Sequence, residues 1–319
     1  MATSASSQTF TAEPDADGRP AVGWWAQFSF NVVHGGAAVL LRVLSIRGLY
    51  LFARGFGTLE WLINYKRRRR FGVALARILD APPSSAERRR ATREHFCQSR
   101  CDKLFYLVMD CIPREKAVSL FTIENQHLLD DALARGRGVY IALSHNGPHH
   151  TAGNLFALTG YKITGVRDRR EGGIRRFVQD RFDRKYPEFR RMQLLFADSF
   201  PRDIYRCFKE GYVLASAIDV SRKRSETQRT VEVETPGGKR SFLTGPLYIA
   251  IRCGAPVIQG FAVPYPGFRY GLKLVEVLID PDDVGERSET DAVVRRAVEK
   301  YAANLEKHIR SAPTLITRV

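Results

Sequence analysis

The feature that most constrains this chain is the run Gly138-Val139-Tyr140-Ile141-Ala142-Leu143-Ser144, followed at once by His145-Asn146-Gly147-Pro148-His149-His150. The run is short, apolar and rich in β-branched and aromatic residues, and Ala134-Arg135-Gly136-Arg137 stops any helix before it. It therefore predicts a buried strand rather than a helix. The polar loop then lies at a strand's carboxyl end, where ligands bind in open α/β sheets because backbone groups and the next helix's N-terminus converge there. Three of the seven histidines fall in this loop.

Around that strand the chain alternates. The patterns predict a strand at 117–123, a helix at 126–134, a helix from about residue 149, and a strand at 162–166. A helix at 174–184, a strand at 193–196, a helix at 201–209 and a strand at 212–218 ending in Asp219 come next. A strand at 230–235, a helix at 246–252, a hairpin of strands at 256–263 and 270–279, and an amphipathic helix through Val294, Ala297, Val298, Tyr301, Leu305 and Ile309 complete it. This order predicts an α/β fold with a mixed sheet flanked by helices.

The first part of the chain reads differently. Residues 1–20 are rich in Ser, Thr, Ala, Asp and Pro and predict a disordered tail rather than a signal peptide. Residues 21–70 predict an amphipathic helical, membrane-associating segment. Its aromatic residues, among them Trp24, Trp25, Phe28, Tyr50, Phe52 and Trp61, precede Lys66-Arg67-Arg68-Arg69-Arg70, a pairing suited to an anionic lipid interface. His34, Arg42, Arg47, Arg54 and Glu60 interrupt every window of the roughly 20 residues a spanning helix needs, so attachment is expected without crossing. Residues 71–319 form the α/β domain, with Ser84-x-x-Glu87 as a capping box opening a helix to about Met109.

Fifty Lys and Arg against 34 Asp and Glu leave a formal charge of +16, which implies an anionic partner. No nucleic-acid motif accompanies the charge, so nucleic acid is set aside. Five cysteines without a CxxC pair speak against a disulfide framework or a zinc knuckle, and no metal is expected. His145 is the candidate general base, provided an acceptor holds its other ring nitrogen, and the candidate partners are His150 and Asp219. Only Asp219 has the right charge. Val166-Arg167-Asp168-Arg169-Arg170 ends the next strand, so Arg167 and Arg170 gather cations at the same sheet edge, where a head group or phosphopantetheine would dock.

The stretch from Glu124 through Leu128-Leu129 and Ala132-Leu133-Ala134-Arg135-Gly136-Arg137-Gly138 to Ser144-His145-Asn146-Gly147 resembles the core of the bacterial lipid A biosynthesis (late) acyltransferases and their phosphatidylinositol-mannoside relatives. Val166-Arg167, Gly211-Tyr212-Val213 to Asp219, Thr244-Gly245-Pro246 to Ala250, and Gly254-Ala255-Pro256-Val257 follow in that family's order. The resemblance covers roughly residues 67–313. It implies the glycerolipid-acyltransferase fold and acyl transfer from acyl carrier protein or coenzyme A to a hydroxyl or amine of a lipid acceptor, with no cofactor. It further implies His145 and Asp219 as catalytic and Arg167, Asn146, Gly147, His150 and Arg170 as substrate-binding. The place implied is the cytoplasmic face of a bacterial inner membrane. Two departures stand out. His150 occupies the position of the family's acid, which follows the histidine after four intervening residues, and the tryptophan-rich segment expected after Pro313 is absent. The rival readings are a non-catalytic lipid-binding protein of the same fold and a metal hydrolase built on His145, His149 and His150. The second is disfavoured because neighbouring histidines point apart on a helix.

Overall fold

The structure is a computed structural model and describes residues 23–78, 85–167, 174–196, 201–220, 228–235, 238–285 and 289–316. The tail at 1–20, Arg170, and the Ser84 cap lie outside the described residues. Three long helices come first: α1 (Trp24–Ile63), α2 (Tyr65–Ile78) and α3 (Ser85–Val108). A 3₁₀ turn, Met109–Cys111, then leads to the short helix α4 (Arg114–Val118) and the strand β1 (Phe121–Glu124). The strand expected at 117–123 is thus a correction. Pro113 caps a helical turn that uses up residues through Val118, and the extended chain begins only at Phe121.

From there the alternation runs α5 (His127–Ala134), β2 (Val139–Leu143), α6 (His149–Ala157), β3 (Ile163–Arg167), α7 (Ile174–Lys185), α8 (Pro187–Arg191), β4 (Gln193–Phe196), α9 (Pro201–Lys209) and β5 (Val213–Ala217). It ends with β6 (Asp219–Val220), β7 (Thr230–Thr235), β8 (Gly238–Leu243), α10 (Gly245–Cys253), the hairpin β9 (Val257–Tyr265) and β10 (Arg269–Ile279), and α11 (Thr290–Ser311). Seven strands make one mixed sheet in the order β1-β10-β9-β2-β5-β3-β4, and β6, β8 and β7 make a second, antiparallel one. In the large sheet β9, β2, β5, β3 and β4 are mutually parallel, while β10 runs against β9 and β1 runs with β10.

β2 lies fourth of the seven and is apolar because both its faces are covered. Val139 and Ile141 enter one core, with Phe105 and Leu129, and Tyr140 and Ala142 enter the other, with Phe208 and Leu247. At its start a Cβ on residue 138 would lie 2.5 Å from the Tyr212 carbonyl oxygen, so only Gly138 fits.

α1 answers the question of the interrupting charges. Its buried residues, Phe30, His34, Ala37, Leu49, Ala53, Gly57, Glu60 and Trp61, recur every three or four positions along both limbs of a helix that breaks at Ser45, φ 58°. Ala53 and Gly57 let it approach α3 closely. A Cβ at residue 57 would lie 2.6 Å from the Cys97 Cα. Arg54 forms two 2.7 Å hydrogen bonds to Glu94, Glu60 accepts from Arg67 and Arg100, and His34 pairs with Asp110. These charges face the protein, while Trp25, Phe28, Val32, Val39, Leu51, Phe56 and Leu62 face outward. By length and composition α1 is apolar enough to cross a membrane, with a window of mean hydropathy 1.6, so the expectation that charges break every window is corrected. A window averages over helix faces, and here His34, Arg54 and Glu60 sit on the inner one. α2 runs unbroken through residue 70.

His95 of α3 is buried, 8% exposed, stacked at 3.9 Å on Phe71, and donates through Nδ1 to the Thr314 carbonyl at 2.9 Å. Burial pushes its imidazole down from the usual 6.5 to about 4. The native state therefore stays unprotonated where the unfolded chain binds a proton. The stability this gives is present above about pH 6.5 and is lost as pH falls towards 4, by up to about 3 kcal/mol. Urea denaturation across that range should show the decline, and His95→Gln, which retains a donor for Thr314, should remove the His95 share of it while that of the other buried histidines, His149 and His308, remains.

Candidate active site

The site follows from strand register. β2 and β5 pair in parallel with Leu143 opposite Ala217. Two residues further along both chains, His145 comes abreast of Asp219, which opens β6 opposite Phe242. The Ile218 backbone closes the gap, with its N–H donating to the Leu143 carbonyl at 3.1 Å and its carbonyl accepting from Leu243 N–H at 2.8 Å.

The Asp219 carboxylate, 8% exposed, organises the loop. Oδ1 accepts from the His145 backbone N–H at 2.9 Å and lies 2.8 Å from His145 Nδ1, and Oδ2 accepts from the Ser144 hydroxyl at 3.2 Å. The Asp219 carbonyl oxygen is also 2.8 Å from Nδ1. Both neighbours of Nδ1 are acceptors, so the neutral ring carries its proton on Nδ1 and its lone pair on Nε2. Ser144 Oγ in turn accepts from the Asn146 backbone N–H at 3.0 Å and from Asn146 Nδ2 at 2.9 Å. The His145 side chain keeps 22% exposure, so a base with a fixed tautomer meets the surface. This arrangement can take a proton at Nε2 and stabilise the resulting imidazolium against a carboxylate.

Gly147 turns the chain with φ 76° and donates its N–H to the Leu315 carbonyl at 2.8 Å. α6 then begins at His149, whose Nδ1 is 3.3 Å from the Gly147 carbonyl. Burial, and secondarily the neighbouring His145, push the His149 imidazole down to about 4, so it is neutral at physiological pH. The His149 and His150 rings are 4.1 Å apart, which corrects the expectation that they point apart. Both rings follow Pro148 in the first turn of α6, where their side chains lean together. His150 is exposed, at the helix surface. Arg167 is the last residue of β3, beside β5 in the sheet.

Several contributors carry no sequence signal. Tyr301, fully buried in α11, donates its hydroxyl to the Leu143 carbonyl at 2.7 Å, and its spacing marks it only as core. The Ala262 and Leu315 carbonyls reach the loop from distant segments. Ser144 was missed as well, and its one signal is a hydroxyl where the apolar run ends. Among the described residues, the His, Cys, Asp and Glu side chains that converge as a possible metal cluster are His34, Asp110 and Cys111, away from this loop.

The chain matches no protein-family model and no curated protein. Among solved structures it is similar to the 1-acyl-sn-glycerophosphate acyltransferase PlsC of Thermotoga maritima. That likeness covers 88% of this chain and 98% of that one, at 13% identity and a TM-score of 0.34.

A Cβ on residue 147 would lie 2.3 Å from the Ala262 carbonyl oxygen and would be strained by the positive φ. Gly147→Ala should therefore cost about 3 kcal/mol in denaturant unfolding. It should also displace the His145 loop, a change that ¹⁵N-labelled histidine spectra would report.

Proposed function

We propose that this protein is an acyltransferase that moves an acyl chain from a thioester to a hydroxyl or amine of a lipid acceptor. The observation that carries the reading is the bidentate hold of Asp219 on His145, a base with one defined tautomer at the carboxyl edge of the sheet. The acceptor's O–H or N–H gives its proton to Nε2 as the heteroatom attacks the thioester carbonyl. The tetrahedral intermediate collapses with cleavage of the C–S bond, and the imidazolium returns its proton to the departing thiolate. Asp219 balances the imidazolium in between. Acid–base catalysis of this kind is worth about 10²- to 10⁴-fold, and a thiolate is a good enough leaving group for no further activation.

The order of short motifs from Glu124 to Val257 supports the same chemistry and suggests acyl carrier protein or coenzyme A as donor carrier and a lipid or glycolipid as acceptor. Arg167, the last residue of β3, and Arg170, three positions on in the sequence, are the proposed anchors for a phosphate of either substrate. In this reading His150 contacts the acceptor and Asn146 and Gly147 shape the pocket. The outward apolar face of α1, with Lys66, Arg69 and Arg70 exposed at the start of α2, supports monotopic attachment to an anionic membrane, the inner membrane's cytoplasmic leaflet in a bacterium. Both limbs of α1 spend their inner faces on the domain, which favours lying along a bilayer over crossing it.

His145→Ala and Asp219→Asn should each lower kcat/KM by at least about 100-fold with acyl-carrier-protein or coenzyme A thioesters, and the double variant should be scarcely worse, since both act on one proton transfer. His150→Gln should keep most activity. An inactive His150→Gln beside an active Asp219→Asn would reverse the assignment, and a wild type inert towards every lipid extract would favour the non-catalytic lipid-binding alternative.

Flotation with vesicles should show stronger binding to anionic than to neutral bilayers, weakening as salt shortens the reach of the basic cluster. Equal binding to both at every salt concentration would remove the electrostatic part of the claim.

A further inference from the structure

His34 projects from the inner face of α1, and the 3₁₀ turn that ends α3 carries Asp110 and Cys111. His34 is 4% exposed and the Asp110 side chain 9%, whereas the Cys111 thiol is at the surface. His34 Nε2 lies 2.9 Å from Asp110 Oδ1 and 3.9 Å from Cys111 Sγ, and Cys111 Sγ is 3.8 Å from Asp110 Oδ1. The three ligating atoms thus fall within 4.8 Å of one another.

A tetrahedral zinc ion, with bonds of about 2.0 Å to nitrogen and oxygen and about 2.3 Å to sulfur, holds such donors about 3.3–3.6 Å apart. Each edge of the triangle is within about 0.4 Å of that, less than a side-chain adjustment. The remaining carboxylate oxygen, Oδ2, is 3.3 Å from Arg181 Nη1 on α7 and 3.1 Å from His34 Nε2. The guanidinium therefore steadies the carboxylate from outside and leaves Oδ1 to ligate, the usual arrangement around a metal-bound acid.

We propose that His34, Asp110 and Cys111 form a site for a zinc-type divalent cation, with one position open to solvent on the Cys111 side. A thiolate with an imidazole selects zinc or cobalt over magnesium and calcium. On binding, the S–H bond breaks and its proton passes to solvent, the His34 ring gives up the Nε2 proton it shares with Asp110 and ligates as the Nδ1–H tautomer, and sulfur–metal and nitrogen–metal bonds form with no change of oxidation state. The metal clips the first limb of α1 to the end of α3, beside the Phe30–Phe177 ring stack at 4.9 Å. The site is independent of the acyl-transfer reading.

The test uses the full chain, stripped with a chelator and titrated with Co²⁺. A near-ultraviolet thiolate-to-cobalt charge-transfer band and strong visible bands of a tetrahedral ion should saturate at a single equivalent and vanish on adding Zn²⁺. Cys111→Ser, at an exposed position that keeps the fold, should abolish the charge-transfer band and weaken zinc binding at least about tenfold. Cys253→Ser, which alters a different partly exposed thiol, should leave both unchanged. A wild type without the band, a band that survives Cys111→Ser, or one lost in Cys253→Ser would each overturn the proposal.

Discussion

The site depends on the parallel pairing of β2 with β5. Parallel strands carry their carboxyl ends to the same edge, and the register that sets Leu143 against Ala217 sets His145 against Asp219 two residues later. One carboxylate then serves a backbone N–H, an imidazole N–H and a serine hydroxyl. Charge-assisted hydrogen bonds of this kind are among the stronger ones in a protein, and sharing them between backbone and side chain locks loop and ring together. The carboxylate that meets His145 comes from the neighbouring strand, 74 residues away, and not from residue 150 of the same loop.

The loop is held from other directions as well. Tyr301 grips the Leu143 carbonyl from α11, Leu315 accepts from Gly147, and the Ala262 carbonyl of β9 packs where a side chain on residue 147 would stand. With β2 buried in two cores, on alternate residues, neither the strand nor its loop can shift without repacking both. Such rigidity fits the proposed role of His145, since a general base must meet its reacting atom in a fixed geometry.

α1 shows a second physical rule, that what matters about a charge in an apolar helix is its face. Arg54, Glu60 and His34 find partners on α3, α2 and the 3₁₀ turn, so none of them is turned inward without a partner, and the outward residues form a largely apolar surface. Arg42 and Arg47, both exposed, flank the break at Ser45, where the two limbs change direction.

Much of this was legible in the chain. The apolar run 139–143 between a helix stop and a polar loop determined a doubly buried strand, because only a central strand covered on both sides can bury consecutive residues. The alternation after Pro113 determined the fold class, and the position of His145 and Asp219 just past two apolar runs determined that both would stand at strand ends. The local pattern failed at residues 117–120, where the end of the proline-capped helix α4 and the turn after it replace the first half of the expected strand. It failed at α1 too, where a linear window cannot separate inner from outer residues. Which strand lies beside which, the 2.8 Å approach of Asp219 to His145, the pairing of His34 with Asp110 and Cys111, and the grip of Tyr301 were decided only by the tertiary structure. Periodicity reports how each segment meets its own surroundings, whereas these contacts join residues tens to hundreds of positions apart, and sheet order and helix docking alone bring them together.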